Sequence, residues 1–219
     1  MRALTAASLR SHQGFNALER LRNATVEESA AEATLTDGIS IVSNTGLQFV
    51  DGFNMLRENR VGLTVFENPV LTSVGGFGML EFFRSIIFAD NPLLETIPSF
   101  ESLRGNPFPS LTEGAQVQFN NNTVLRDIPG FNALEDPGAI KIRRNAGLLD
   151  ISGFNGVTGF TNTSLSGVAR VDIRIESNDS LEAITGFSAL GIAAALTIRD
   201  NAALTSLAGV RASPTRAVR

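Results

Sequence analysis

The sequence predicts a mainly β protein: a parallel β-solenoid of about seven 23-residue coils carrying three loop insertions. Three observations lead there. The dipeptide Gly-Phe recurs at Gly14-Phe15, Gly52-Phe53, Gly76-Phe77, Gly130-Phe131, Gly153-Phe154 and Gly186-Phe187, with Ser99-Phe100 and Gly209-Val210 as variants. An asparagine stands eight residues before each of the last seven positions: Asn44, Asn68, Asn91, Asn122, Asn145, Asn178 and Asn201. An alternating apolar pair precedes every asparagine, as in Ile39/Ile41, Leu63/Val65, Ile86/Phe88, Val117/Phe119, Ile140/Ile142, Ile173/Ile175 and Leu196/Ile198. The Gly-Phe intervals of 38, 24, 23, 31, 23, 33 and 23 reduce to one period of 23 if three coils carry insertions of 15, 8 and 10 residues.

Taken in order along the unit, each position has a physical role. The apolar pair alternates with period two, which reads as a short strand with one face inward. Asparagine ends the strand. Its amide is suited to exposed turn backbone, and stacked amides bond one another from coil to coil. The leucine three residues later (Leu71, Leu94, Leu125, Leu148) and the apolar residue six later (Val74, Ile97, Ile128, Ile151) point inward from a second short segment. Glycine before phenylalanine is expected to take a backbone angle that other residues refuse. Phenylalanine fills the widest part of the core. One unit cannot bury its own apolar face, whereas stacked units bury a continuous one. At about 4.8 Å per coil, seven coils make a rod about 34 Å long.

Composition excludes several classes. The 219 residues include no Cys, one His (His12) and one Lys (Lys141). A disulfide framework, a thiolate metal site and a multi-histidine site are therefore ruled out, and no cofactor is expected. With 18 basic and 22 acidic side chains, bulk charge does not favour nucleic acid. No apolar run is long enough to predict a transmembrane helix, and no signal peptide is visible. Three segments are expected. Residues 1–36 form an irregular N-terminal coil with a Glu/Ala-rich insert, predicted helical from Ala24 to Ala33; residues 37–210 form the repeat solenoid; residues 211–219 form a flexible tail.

The string Leu196-Thr-Ile-Arg-Asp-Asn201-Ala-Ala-Leu204-Thr-Ser-Leu207-Ala-Gly209 resembles the repeats of receptor L domains, relatives of the leucine-rich repeats. Ile140-Lys-Ile-Arg-Arg-Asn145-Ala-Gly-Leu148 and Leu63-Thr-Val-Phe-Glu-Asn68-Pro-Val-Leu71 are similar. The resemblance covers about residues 37 to 210. It implies a right-handed solenoid, a parallel sheet used to bind ligands or proteins, no catalytic residue, and an extracellular or cell-surface location.

If the apolar pair faces inward, the residues four and two before each asparagine face outward. In early coils these include Val42, Phe66, Ile87 and Ala89, an apolar patch. In late coils they include Lys141, Arg143, Arg174 and Arg199, a basic stripe beside Arg144. The whole chain is polarised likewise: residues 1–140 carry 9 basic and 16 acidic side chains, and residues 141–219 carry 9 and 6. Arginine grips carboxylate, sulfate or phosphate in a two-point fork. The expected function is a non-catalytic interaction module whose sheet face meets a protein or an acidic glycan. The plainer alternative is a solvated face, with Glu176 and Asp200 neutralising their neighbours. A second function class is a structural repeat segment of a larger surface or cell-wall protein, self-associating through its solenoid ends. A third is a polysaccharide-active enzyme. The insertions near 19–37, 104–115 and 158–170 emerge at one corner of the coil. Asn-x-Ser/Thr sequons occur at Asn23, Asn121, Asn162 and Asn178, the last expected to be shielded in the ladder.

Overall fold

The computed structural model describes residues 38–59, 61–105, 115–135, 137–161 and 169–210, and the backbone of two short strands, Ser11–His12 and Arg20–Leu21. The helix expected from Ala24 to Ala33 and the tail at 211–219 lie outside the described residues. Among the described residues there is no helix.

The principal feature is a seven-stranded parallel sheet. Its strands are β1 (Ile39–Val42), β2 (Leu63–Phe66), β3 (Ser85–Ala89), β4 (Ala115–Asn120), β5 (Pro137–Arg143), β6 (Asp172–Glu176) and β7 (Ala195–Arg199). Their spatial order is their chain order. The register sets equivalent repeat positions side by side: Ile41, Val65, Phe88, Phe119, Ile142, Ile175 and Ile198 form one row. Two narrower parallel ladders use the rest of each unit. One joins Ser11–His12, Phe49–Val50 and Ser73–Val74; isolated bridges at the same position link Ser73 to Thr96 and, in a separate run, Asp127, Asp150, Ala183 and Ser206. The other joins Arg20–Leu21, Glu58–Asn59 and Phe82–Phe83. The third insertion is bracketed by a short antiparallel pair, Phe160–Thr161 with Ala169–Arg170, which the sequence did not foretell.

Burial follows the repeat. In β1 to β6 the apolar pair is buried and the alternate positions largely stay accessible. From Asn44 to Asn178, the residues three and six after each asparagine join the same core, together with the apolar residue three after each phenylalanine from Phe53 to Phe187. The phenylalanines stack into a column, with centroid spacings of 4.9 Å for Phe53–Phe77, 4.9 Å for Phe100–Phe131, 4.8 Å for Phe131–Phe154 and 5.0 Å for Phe154–Phe187. Phe88 and Phe119, contributed by β3 and β4, stack at 5.5 Å and meet that column edge-on.

The asparagines form the expected ladder. From Asn68 to Asn201, each side-chain oxygen accepts both the backbone N–H and the side-chain Nδ2 of the asparagine one unit earlier; Asn145 Oδ1 lies 3.0 Å from Asn122 N and 3.3 Å from Asn122 Nδ2. Each Nδ2 also reaches back to a strand carbonyl, as from Asn145 to Phe119 O at 3.0 Å. The buried backbone at the strand ends thereby finds its partners. Asn178 is fully buried within this ladder, so its sequon is shielded as expected.

The expectation for the Gly-Phe glycines needs correction. The left-handed residue is the phenylalanine itself, with φ between 44° and 67° at Phe53, Phe77, Phe100, Phe131, Phe154 and Phe187. Gly76 and Gly130 also take positive φ, but Gly153, Gly186 and Gly209 do not. Their common constraint is contact with the unit before. Gly186 donates to Ile151 O at 2.8 Å, and a Cβ there would fall 1.9 Å from Gly153 O. The backbones of successive units touch at this corner, leaving no space for a side chain.

Candidate binding face and the groove beside it

The outer face of the sheet is built in columns, because equivalent positions stack in register. One column runs Ser40, Thr64, Ile87, Gln118, Lys141, Arg174, Thr197, and the next runs Val42, Phe66, Ala89, Asn120, Arg143, Glu176, Arg199. The sequence-predicted residues therefore share one face. Val42, Phe66 and Ile87 are partly exposed, while Ala89 is buried. Amides separate the apolar and charged ends: Gln118 Nε2 donates to Gln116 Oε1 at 3.2 Å, and Asn120 Nδ2 to Gln118 Oε1 at 3.4 Å.

The basic stripe is largely paired. Glu176, only 7% exposed, lies between two arginines: Arg199 Nε at 3.1 Å from Oε1 and Arg143 Nε at 2.8 Å from Oε2. The Arg143 contact is an ion pair by distance, yet its N–H is not aimed at the oxygen, and that Nε has no hydrogen-bond acceptor. Arg199 also lies 3.8 Å from Asp200. Arg174 is held by Asp172 at 3.0 Å; this hydrogen bond and the nearby charge raise the guanidinium pKa above its ordinary value. Asp172 was not singled out from the sequence. It stands six before Asn178, one more step of the alternation that gives the outer face. Among the described residues Lys141 has no ion pair, and it is in register with both Gln118 and Arg174.

Beside this face, at the turns after β1 to β4, runs an open groove of about 470 Å³. One row of its lining is the residue before each ladder asparagine: Ser43, Glu67, Asp90 and Asn121. All four have φ between 54° and 56°. Each donates its N–H to the neighbouring unit's strand, as from Glu67 to Ala89 O at 3.2 Å, which holds the unusual angle in place. The other row is the residue after each asparagine: Thr45, Pro69, Pro92 and Thr123. The sequence carries a trace of this groove in the two prolines at one repeat position. The left-handed turns that shape it leave no such trace.

A second, exposed ladder follows the phenylalanines. Asn155 N and Nδ2 bond Asn132 Oδ1 at 3.1 and 2.9 Å, and Ser188 N bonds Asn155 Oδ1 at 3.2 Å. Its signal in the sequence is Phe-Asn at Phe131-Asn132 and Phe154-Asn155.

No family model matches the sequence, no curated protein is similar to it, and no solved structure matches the chain. The likeness to receptor L domains rests on the repeat motif. No helix among the described residues is long and apolar enough to cross a membrane.

Proposed function

We propose that the chain is a right-handed β-solenoid of about seven coils, of receptor L-domain type, and that it serves as a non-catalytic binding module. The wide sheet running in chain order and the two narrower ladders support the solenoid, and parallel crossovers are right-handed almost without exception. The observation that carries the binding reading is the columnar outer face, which passes from apolar through amide to charged over seven strands. Its partner is a protein or an acidic glycan. Anion recognition centres on Lys141, because Arg143 and Arg199 are engaged by Glu176 and Arg174 by Asp172.

A sulfated glycan is the direct probe. Wild type is expected to bind in a salt-sensitive way, and Lys141→Glu to weaken binding by about fivefold, the equivalent of about 1 kcal/mol for one exposed charge contact. Failure of wild type to bind either a sulfated glycan or an acidic peptide would remove the anion-binding reading.

A specific observation favours a second reading, association through the end of the sheet. Among the described residues β7 pairs on one side only, and inward positions of its unit are open, with Leu196 43% and Leu207 46% exposed. Their counterparts one unit earlier, Ile173 and Ile184, are fully buried. A hydrogen-bonding edge with apolar surface beside it is a template for another strand. Sedimentation should show a concentration-dependent dimer that Leu196→Asp dissolves. A wild type that stays monomeric at every concentration would exclude it.

A further inference from the structure

We propose that the turn groove beside β1 to β4 binds an extended peptide segment bearing Lys or Arg side chains. The inference does not rest on the sheet-face reading, since the groove occupies the turns and uses other residues. Its first support is charge. Glu67 and Asp90 lie on successive units in a lining that contains no basic residue. The contacts of their carboxylates are with neutral donors, Ser43 Oγ on Glu67 and Asn121 Nδ2 on Asp90. Among the described residues neither has a cationic partner. Carboxylates left with neutral partners at an open surface are complementary to ammonium or guanidinium. The acidic excess over residues 1–140, 16 acidic against 9 basic side chains, favours the approach of a cation.

The second support is shape. Pro69 and Pro92 supply apolar wall opposite the carboxylates. A Lys or Arg side chain needs both surfaces, one for its methylene stem and one for its charged head. Four units span three spacings, about 14 Å at about 4.8 Å each, and five extended residues, four steps of about 3.4 Å, cover the same distance. Alternate residues of such a peptide lie about 6.8 Å apart, near enough to the step of about 4.8 Å for two long basic side chains to reach the carboxylates of adjacent units. The third support is rigidity. The turns are fixed by the asparagine ladder and by the bonds from Ser43, Glu67, Asp90 and Asn121 to neighbouring strands, so little ordering is needed on binding.

The test is titration of the whole protein with a labelled, end-blocked Arg-Ala-Arg-Ala peptide. Its Gln-Ala-Gln-Ala counterpart and free spermine serve as comparison probes. The arginine peptide is expected to bind, and the glutamine peptide at least about tenfold more weakly. The double variant Glu67→Gln/Asp90→Asn, which keeps side-chain size and one acceptor oxygen at each position, should weaken the arginine peptide by about tenfold or more. Lys141→Glu should leave it unweakened, which separates this site from the sheet face. Failure of wild type to bind the arginine peptide would overturn the proposal. So would equal affinity for the two peptides, an unchanged affinity in the double variant, or binding of spermine alone.

Discussion

Replacing Phe131 by alanine is expected to destabilise the protein by about 3–5 kcal/mol, the range for removing a fully buried phenylalanine. Three neighbours set the size of the effect. The ring stacks on Phe154 at 4.8 Å, lies tilted against Phe100 at 4.9 Å, and meets Phe119 edge-on at 6.0 Å. Those neighbours are held by their own places in the column, so the space left cannot collapse freely. Alanine would also inherit the left-handed backbone at φ 55° without the packing that compensates it. Chemical denaturation gives the measurement. A loss below about 1 kcal/mol, within the span of ordinary surface changes, would mean that the column is not a main source of stability.

Asn145→Ala is expected to cost about 3 kcal/mol or more, since each buried polar group left unpaired costs about 1–3 kcal/mol. The substitution removes the acceptor for Asn122 N and Nδ2 and the donor to Phe119 O. None of these groups has water at hand, because Asn122, Asn145 and Phe119 are fully buried. Asn155→Ala provides the contrast. It breaks a ladder of the same chemistry on the exposed side, where water replaces the lost bonds, and should cost under about 1 kcal/mol. Equal losses in the two variants would show that burial does not govern the ladder's contribution.

The features legible in the sequence were those tied to a fixed spacing. Asn68, Asn91, Asn122, Asn145 and Asn178 recur at one position of the unit, and the strand before each alternates inward and outward, so ladder and sheet faces follow from counting. Glu176 and Asp200 are legible as neutralising their neighbours; Asp172, and Arg143 and Arg199 as the partners of Glu176, were within reach of the same count. Arg143, Glu176 and Arg199 each stand two before an asparagine, which predicts the column in which they meet. The left-handed phenylalanines were not legible, because glycine beside them is the usual bearer of positive φ and drew the inference to itself. The groove was hidden for a related reason. Its acidic row depends on the backbone angle at Glu67 and Asp90, and neither residue type announces that angle.

The ladder has a consequence for how such a chain can change. Asn91 meets Asn122 across 31 residues and Asn145 meets Asn178 across 33, with side-chain bonds of 3.2 Å in both cases. Asn68 meets Asn91 across 23 residues at 3.1 Å. Contact between rungs is thus indifferent to the length of chain between them, and the surplus leaves and rejoins the described structure at the corner after the phenylalanine, between Gly105 and Ala115 and between Thr161 and Ala169. Closing a longer excursion adds little entropy cost, growing only with the logarithm of its length. That corner is therefore a natural grafting point, where foreign sequence can be spliced in for display while the rungs on either side stay in step.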